Sequence, residues 1–190
     1  MPIRLNKTKN YCIRTHLTKI KFLYPNIGYF PQLFKYINHG FSWGKESGNM
    51  QFSLGDPVKT RKNLTGFLKV MDMGNIKESI NMIPEHKDRI IDINEKTNNT
   101  LHSHRFGRGM KCDAFFTTVP NLTLTAKPAD CTTAIVYCKN KKGKEVIGII
   151  HSGWRGVEKK LPQKPILHLE KNYKCNPSKI FIGIVPHLSQ

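Results

Sequence analysis

A chain of 190 residues is long enough to bury one core without crosslinks. Its hydrophobic share of 38% excludes a disordered polymer, and no apolar run approaches the roughly 18 to 20 residues of a membrane-spanning helix. The formal charge of +18 admits a nucleic-acid partner, but the excess is mostly lysine and is spread along the chain, not gathered in a stripe with aromatics.

The first acid in the sequence is Glu46. The start is lysine-led and broken by Pro25 and Pro31, which reads as a basic, poorly ordered extension over residues 1–35. A single domain is expected over residues 36–190. It opens with a short strand over 36–42. A helix follows over 55–71, with Asp56 as N-cap and Pro57 at the first helical position. Val58, Leu64, Phe67, Leu68 and Met71 supply its apolar face.

Residues 89–93 read as a strand and the polar, glycine-bearing stretch 95–111 as a loop. Strands are expected over 113–118 and 121–126. The apolar runs 133–138 and 145–151 flank a turn at Gly143 and predict a hairpin. A helix should begin after Gly156, where Pro162 and Pro165 disturb it, and another spans about 165–174. A last strand covers 179–185. Strands outnumber helices, and several are apolar throughout, so the sheets are covered on both faces in a layered α+β domain.

Five cysteines, an odd number with no C-x-x-C pair, and no signal-peptide core predict a reduced, cytoplasmic setting with at least one free thiol. The chemistry-bearing candidates sit at ends of predicted elements: His86, Cys131 and His151. Their spacing is not that of a zinc finger. By residue type alone, Cys131 reads first as a small buried hydrophobe and the histidines as strand-end caps. The sequence "IIHSGWRG" (149–156) changes that reading. A strand ending on His151 and turning at Gly153 and Gly156 presents an imidazole at a sheet rim, where sites gather. Trp154 reads as a pocket wall or a core aromatic. Arg155 reads as a phosphate grip or a surface ion pair. Asp113 and Asp130 are nearby acids, suited to proton transfer or to orienting a ligating histidine. His102 and His104 form an H-x-H pair in a polar loop.

"ADC" (129–131) followed by "HSGWRG" resembles the multicopper polyphenol oxidase family, the "laccase"-type proteins also called peptidoglycan editing factors. "HGFS" (39–42), "VKTRKNL" (58–64), "CDAFFTT" (112–118) and "KIFIGIVPHL" (179–188) resemble further family segments in the same order. The resemblance covers about Tyr36 to the C-terminus. It implies an α/β/β/α layered domain with mixed sheets. It implies a metal, usually zinc with copper as the alternative, held by His86, Cys131 and His151. It implies phosphorolysis of purine nucleosides (adenosine, inosine or methylthioadenosine) and deamination of adenosine. Arg61, Trp154 and Arg155 are the expected substrate contacts, and Asp113, Asp130 and Arg155 the expected catalytic groups. The sequence departs from the family pattern at Pro84, Lys87, Thr133 and in "FSWGK" (41–45). The family also runs some tens of residues past the strand ending near Val185, so its C-terminal segment is expected to be missing. Three other readings remain: a basic nucleic-acid-associated protein that kept the fold and lost the chemistry, copper-dependent phenol oxidation, and a cysteine hydrolase using Cys131 and His151, as in peptidoglycan editing.

Overall fold

The structure is a computed structural model that describes residues 21–24, 26–52, 54–74, 76–100 and 108–187. In chain order the elements are β1 (Lys21–Tyr24), β2 (Ile27–Tyr29), α1 (Pro31–Phe34), β3 (Phe41–Ser42), α2 (Pro57–Val70), β4 (Ile80–Ile83), β5 (Ile90–Ile93), α3 (Glu95–Thr100) and β6 (Arg108–Lys111). There follow β7 (Ala114–Thr117), β8 (Leu124–Thr125), β9 (Thr132–Lys139), β10 (Glu145–Ser152), α4 (Trp154–Glu158), α5 (Lys164–Tyr173) and β11 (Phe181–Ile184).

The predicted hairpin is the backbone of the fold. β9 and β10 pair antiparallel from Lys139↔Glu145 to Thr132↔Ser152. The Asn140 side chain closes their turn by accepting from the Lys142 and Lys144 amides, both at 2.9 Å. Gly143 supplies the positive φ of 78° that a side chain would resist. Around this hairpin the main sheet has the order β11-β9-β10-β7-β5, with only β5 and β7 parallel. A parallel sheet, β6-β4-β8, and an antiparallel one, β1-β2-β3, complete an α+β fold with mixed sheets, the expected class.

Period-two alternation sorts the main sheet into two faces. Val136, Cys138, Val146 and Ile150 share a core cluster with Ile166 and Leu169 of α5. On the other face Phe115 meets Ile80 and Met82 of β4. Tyr137, also on that face, packs with Phe30, Leu33 and Val185. α2 carries a fourth cluster around Leu64, Leu68 and Ile76. Burying one such leucine or isoleucine contributes about 1.5 to 3 kcal/mol, so the sheet faces dominate the fold's stability.

Several expectations need correction. The described residues within 21–35 do not belong to the extension expected over 1–35: they form β1, β2 and α1, Phe30 and Leu33 are completely buried, and Phe30 fills the space a side chain at Gly183 would take. A basic, acid-free composition says nothing about the apolar residues interleaved with it. The strand expected over 36–42 is only Phe41–Ser42. In α2, Asp56 does cap the helix, accepting from the Val58 amide at 2.8 Å. Val58 itself is 77% exposed, and Thr60 takes the buried position. Thr60, Leu64 and Leu68 are spaced i, i+4, i+8, whereas Val58 falls about a third of a turn off that stripe. The loop expected over 95–111 begins as α3, where Asn94 caps by accepting from the Thr97 amide at 2.9 Å, and ends as β6. β4 was not expected. α4 starts two residues before Gly156, not after it.

Candidate metal centre

The turn after β10 is built around a close approach. Gly153 has φ −74° and ψ 175°, angles any residue adopts. Its lack of a side chain is needed for space: a Cβ there would sit 3.1 Å from Cys131 Sγ and 3.4 Å from His86 Cδ2. Gly156 is similarly tight, since a Cβ there would meet Leu161 Cδ2 at 3.0 Å and Ser152 Oγ at 3.3 Å. The chain therefore turns at Gly153, just past the end of β10, so that bare backbone passes beside a cluster of three side chains.

That cluster is His86, Cys131 and His151, with one donor atom from each lying within 4.8 Å of the others. The two imidazoles meet edge to face, with ring centroids 5.1 Å apart. His151 lies on β10, opposite Thr133 of β9. Cys131 immediately precedes β9. His86 comes from the segment that links β4 of the parallel sheet to β5 of the main sheet, so only the packing of the two sheets brings it to the other two.

Asp113 holds that segment in place. The residue is completely buried. Its Oδ1 accepts from the amides of Glu85 (3.1 Å) and His86 (2.8 Å), and its Oδ2 from that of Lys87 (3.0 Å). Three successive N–H groups turned to one anion form a nest, and the curl puts His86 at φ 56°, in the left-handed region. For a residue with a Cβ this conformation costs about 1 to 2 kcal/mol, which the charge-assisted bonds offset. Asp113 was expected among the catalytic groups. Its oxygens instead accept from three backbone amides, which suits it to positioning the His86 segment.

His151 Nδ1 is buried without a hydrogen-bond partner and lies 3.7 Å from Asp113 Oδ1, too far for a hydrogen bond. Burial lowers the pKa of His151 and the facing His86 lowers it further, against a smaller opposing pull from Asp113. The imidazole is thus favoured in the neutral form that a metal ligand requires. Two imidazoles and one thiol within 4.8 Å suit a zinc ion at about 2.0 to 2.3 Å from each donor, with a fourth position open; the same donors also suit copper. The cleared space at Gly153 and the orphaned nitrogen of His151 fit such an ion.

The three residues line a cleft of about 1390 Å³ together with Thr133, Ile135, Ile147 and Ile149 of the main sheet. The other expected site residues are not among those that line the cleft, although Asp130 is the neighbour of Cys131. Asp130 is exposed. Arg61 sits on α2, outside the cleft lining. Trp154 does not wall the cleft: it is 68% exposed, with the Arg155 guanidinium stacked 4.1 Å from its ring centroid. Both start α4, whose inward face belongs to Gly156, so they point outward. His102 and His104 lie outside the described residues. One cleft residue was missed, Lys127, although a lone lysine in the apolar run "LTLTAKPA" (122–129) was a visible signal.

Residues 33–190 match the family model described as "Multi-copper polyphenol oxidoreductase laccase". The chain belongs to this family. Similar curated proteins are a "Purine nucleoside phosphorylase" of Aquifex aeolicus, 29% identical over 69% of this chain and 52% of that protein, and "Purine nucleoside phosphorylase CA_C1699" of Clostridium acetobutylicum, 25% identical over 77% and 54%. The chain thus spans about half the length of the curated relatives it matches. Among solved structures, hypothetical protein YfiH of Bacillus licheniformis shares the fold with TM-score 0.74 at 16% identity, over 89% of this chain and 65% of that one. YlmD of Geobacillus stearothermophilus gives 0.60 at 18%, over 74% and 51%. No helix among the described residues is long and apolar enough to cross a membrane.

Proposed function

We propose that this chain binds zinc through His86, Cys131 and His151 and cleaves purine nucleosides with phosphate, releasing the base and a sugar 1-phosphate. Deamination of adenosine, which exchanges the 6-amino group for oxygen from water and releases ammonia, is proposed for the same cleft. The observation that carries the reading is the convergence of the three donors on the wall of a cleft large enough for a nucleoside. The names of the two curated relatives support the substrate class.

A bound ion would supply a positive charge with one coordination position open to a ligand. The chain's own residues do the rest. Asp113 fixes the backbone that carries His86. Burial keeps His151 neutral. Ile135, Ile147 and Ile149 offer an apolar wall for the flat face of a base. Asp130, exposed and adjacent to Cys131, is the remaining acid–base candidate. A thiolate committed to a metal is not free to attack, so metal content also separates this reading from a cysteine hydrolase.

The test pairs elemental analysis of the purified chain with adenine release from adenosine, with and without phosphate. About one zinc per chain and phosphate-dependent release are expected. A metal-free protein, or release indifferent to phosphate, would overturn the reading.

A further inference from the structure

We infer that Lys127 is the anion receptor of this cleft and that it holds inorganic phosphate beside the nucleoside; the choice of anion rests on the phosphorolytic reading above. Lys127 lies two residues past β8 and lines the same cleft as the metal cluster. Pro128 follows it and disfavours a helical backbone at Lys127. Cys131 is four positions further on, so the two Cα atoms are at most about 14 Å apart.

The side chain is a charge without a counter-charge. Its Nζ donates to Asn81 Oδ1 at 2.6 Å and lies 5.5 Å from the Phe52 ring centroid. Both contacts are with neutral groups. Among the described residues no carboxylate lies within ion-pair distance of it. Of the acids along the same cleft, Glu145 is taken up by the Tyr137 hydroxyl at 2.8 Å and by Lys139 at 3.3 Å, and Asp72 is exposed. An ammonium has three N–H donors, and Asn81 uses one. Burial pushes the lysine's pKa down to about 8, the sign of a desolvated charge that nothing neutralises. A bound oxyanion would supply the missing charge and accept the remaining donors. Arg155, the anion-binding group expected from sequence, is outside the cleft and occupied by Trp154.

The experiment titrates inorganic phosphate into the full chain by calorimetry at neutral pH, without nucleoside. It compares wild type with Lys127→Met, Asn81→Asp and Arg155→Ala. Lys127→Met should weaken phosphate at least about tenfold, the loss of one charge-assisted contact. Asn81→Asp sets a carboxylate against the ammonium and should weaken phosphate similarly, which keeps the test decisive if Lys127→Met fails to fold. Arg155→Ala should bind as wild type does. Unchanged binding in the folded Lys127 and Asn81 variants would overturn the inference, as would no phosphate binding by wild type. Binding through Lys127 without base release would sink phosphorolysis and leave the anion site standing. Phosphate-dependent release with an unchanged phosphate KM in Lys127→Met would do the reverse.

Discussion

The carboxylate of Asp113 grips the backbone of His86, with Oδ1 2.8 Å from the His86 amide, while the same oxygen lies 3.7 Å from Nδ1 of His151. One buried acid therefore holds the segment that carries His86 and stands beside the imidazole of His151 without bonding it. Asp113→Asn keeps the shape but replaces one acceptor oxygen with a donor, so one nest amide faces an N–H. Metal affinity should fall about 10- to 100-fold. Competition with a zinc chelator reads this directly. An unchanged affinity would mean that the nest survives without the charge.

Gly153→Ala tests whether the cleared space serves the ligands. The backbone angles at Gly153 suit alanine, so no conformational strain is expected. The added methyl would press on Cys131 Sγ, 3.1 Å away. Zinc content should drop well below that of wild type, with little change in the thermal midpoint of the metal-free protein. Full zinc occupancy in the variant would show that the cluster has room to spare.

Arg155→Ala is expected to change the phosphate KM by less than about twofold, because an exposed residue outside the cleft contributes little to an internal site. Steady-state kinetics with adenosine at saturating and limiting phosphate would check it. A tenfold rise in the phosphate KM would return the anion site to the turn after β10.

Stability should fall as pH rises above about 9. Burial, reinforced by Asp113, pushes the Cys112 thiol up to about 12, so the folded chain keeps a proton there that the unfolded chain loses first. The stabilising contribution is complete below about pH 9 and is lost between there and about pH 12, at roughly 1.4 kcal/mol per pH unit. Cys138 and Cys175 act in the same direction, also through burial. Lys127 acts oppositely above about pH 8, because its pKa is lowered by burial. Urea unfolding at pH 8 to 10.5 should show a shallower loss for Cys112→Ala than for wild type. Parallel slopes would refute the assignment.

The local patterns that the sequence displays were those that turned into structure without help from distant residues. The β9–β10 hairpin follows from two apolar runs around Gly143, and the start of α2 follows from Asp56 and Pro57. His151 stood out because a strand runs there into Ser-Gly-Trp-Arg-Gly, whereas His86 and Cys131 were joined to it as ligands only by the family resemblance. What periodicity could not deliver was direction. Whether Trp154 and Arg155 face the cleft depends on whether they lie in the turn, as the sequence reading had them, or in α4, whose one buried residue is Gly156. Whether Asp113 serves the reaction or the backbone depends on Glu85, His86 and Lys87, which lie on the far side of β5 in sequence. Lys127 shows the same limit: a lysine in a loop is ordinarily solvated, and only the packed structure half-buries it against Asn81 and Phe52. Residue type and spacing select the chemistry a chain can carry. Desolvation and orientation, which are properties of packed neighbours remote in sequence, decide which of those residues can use it.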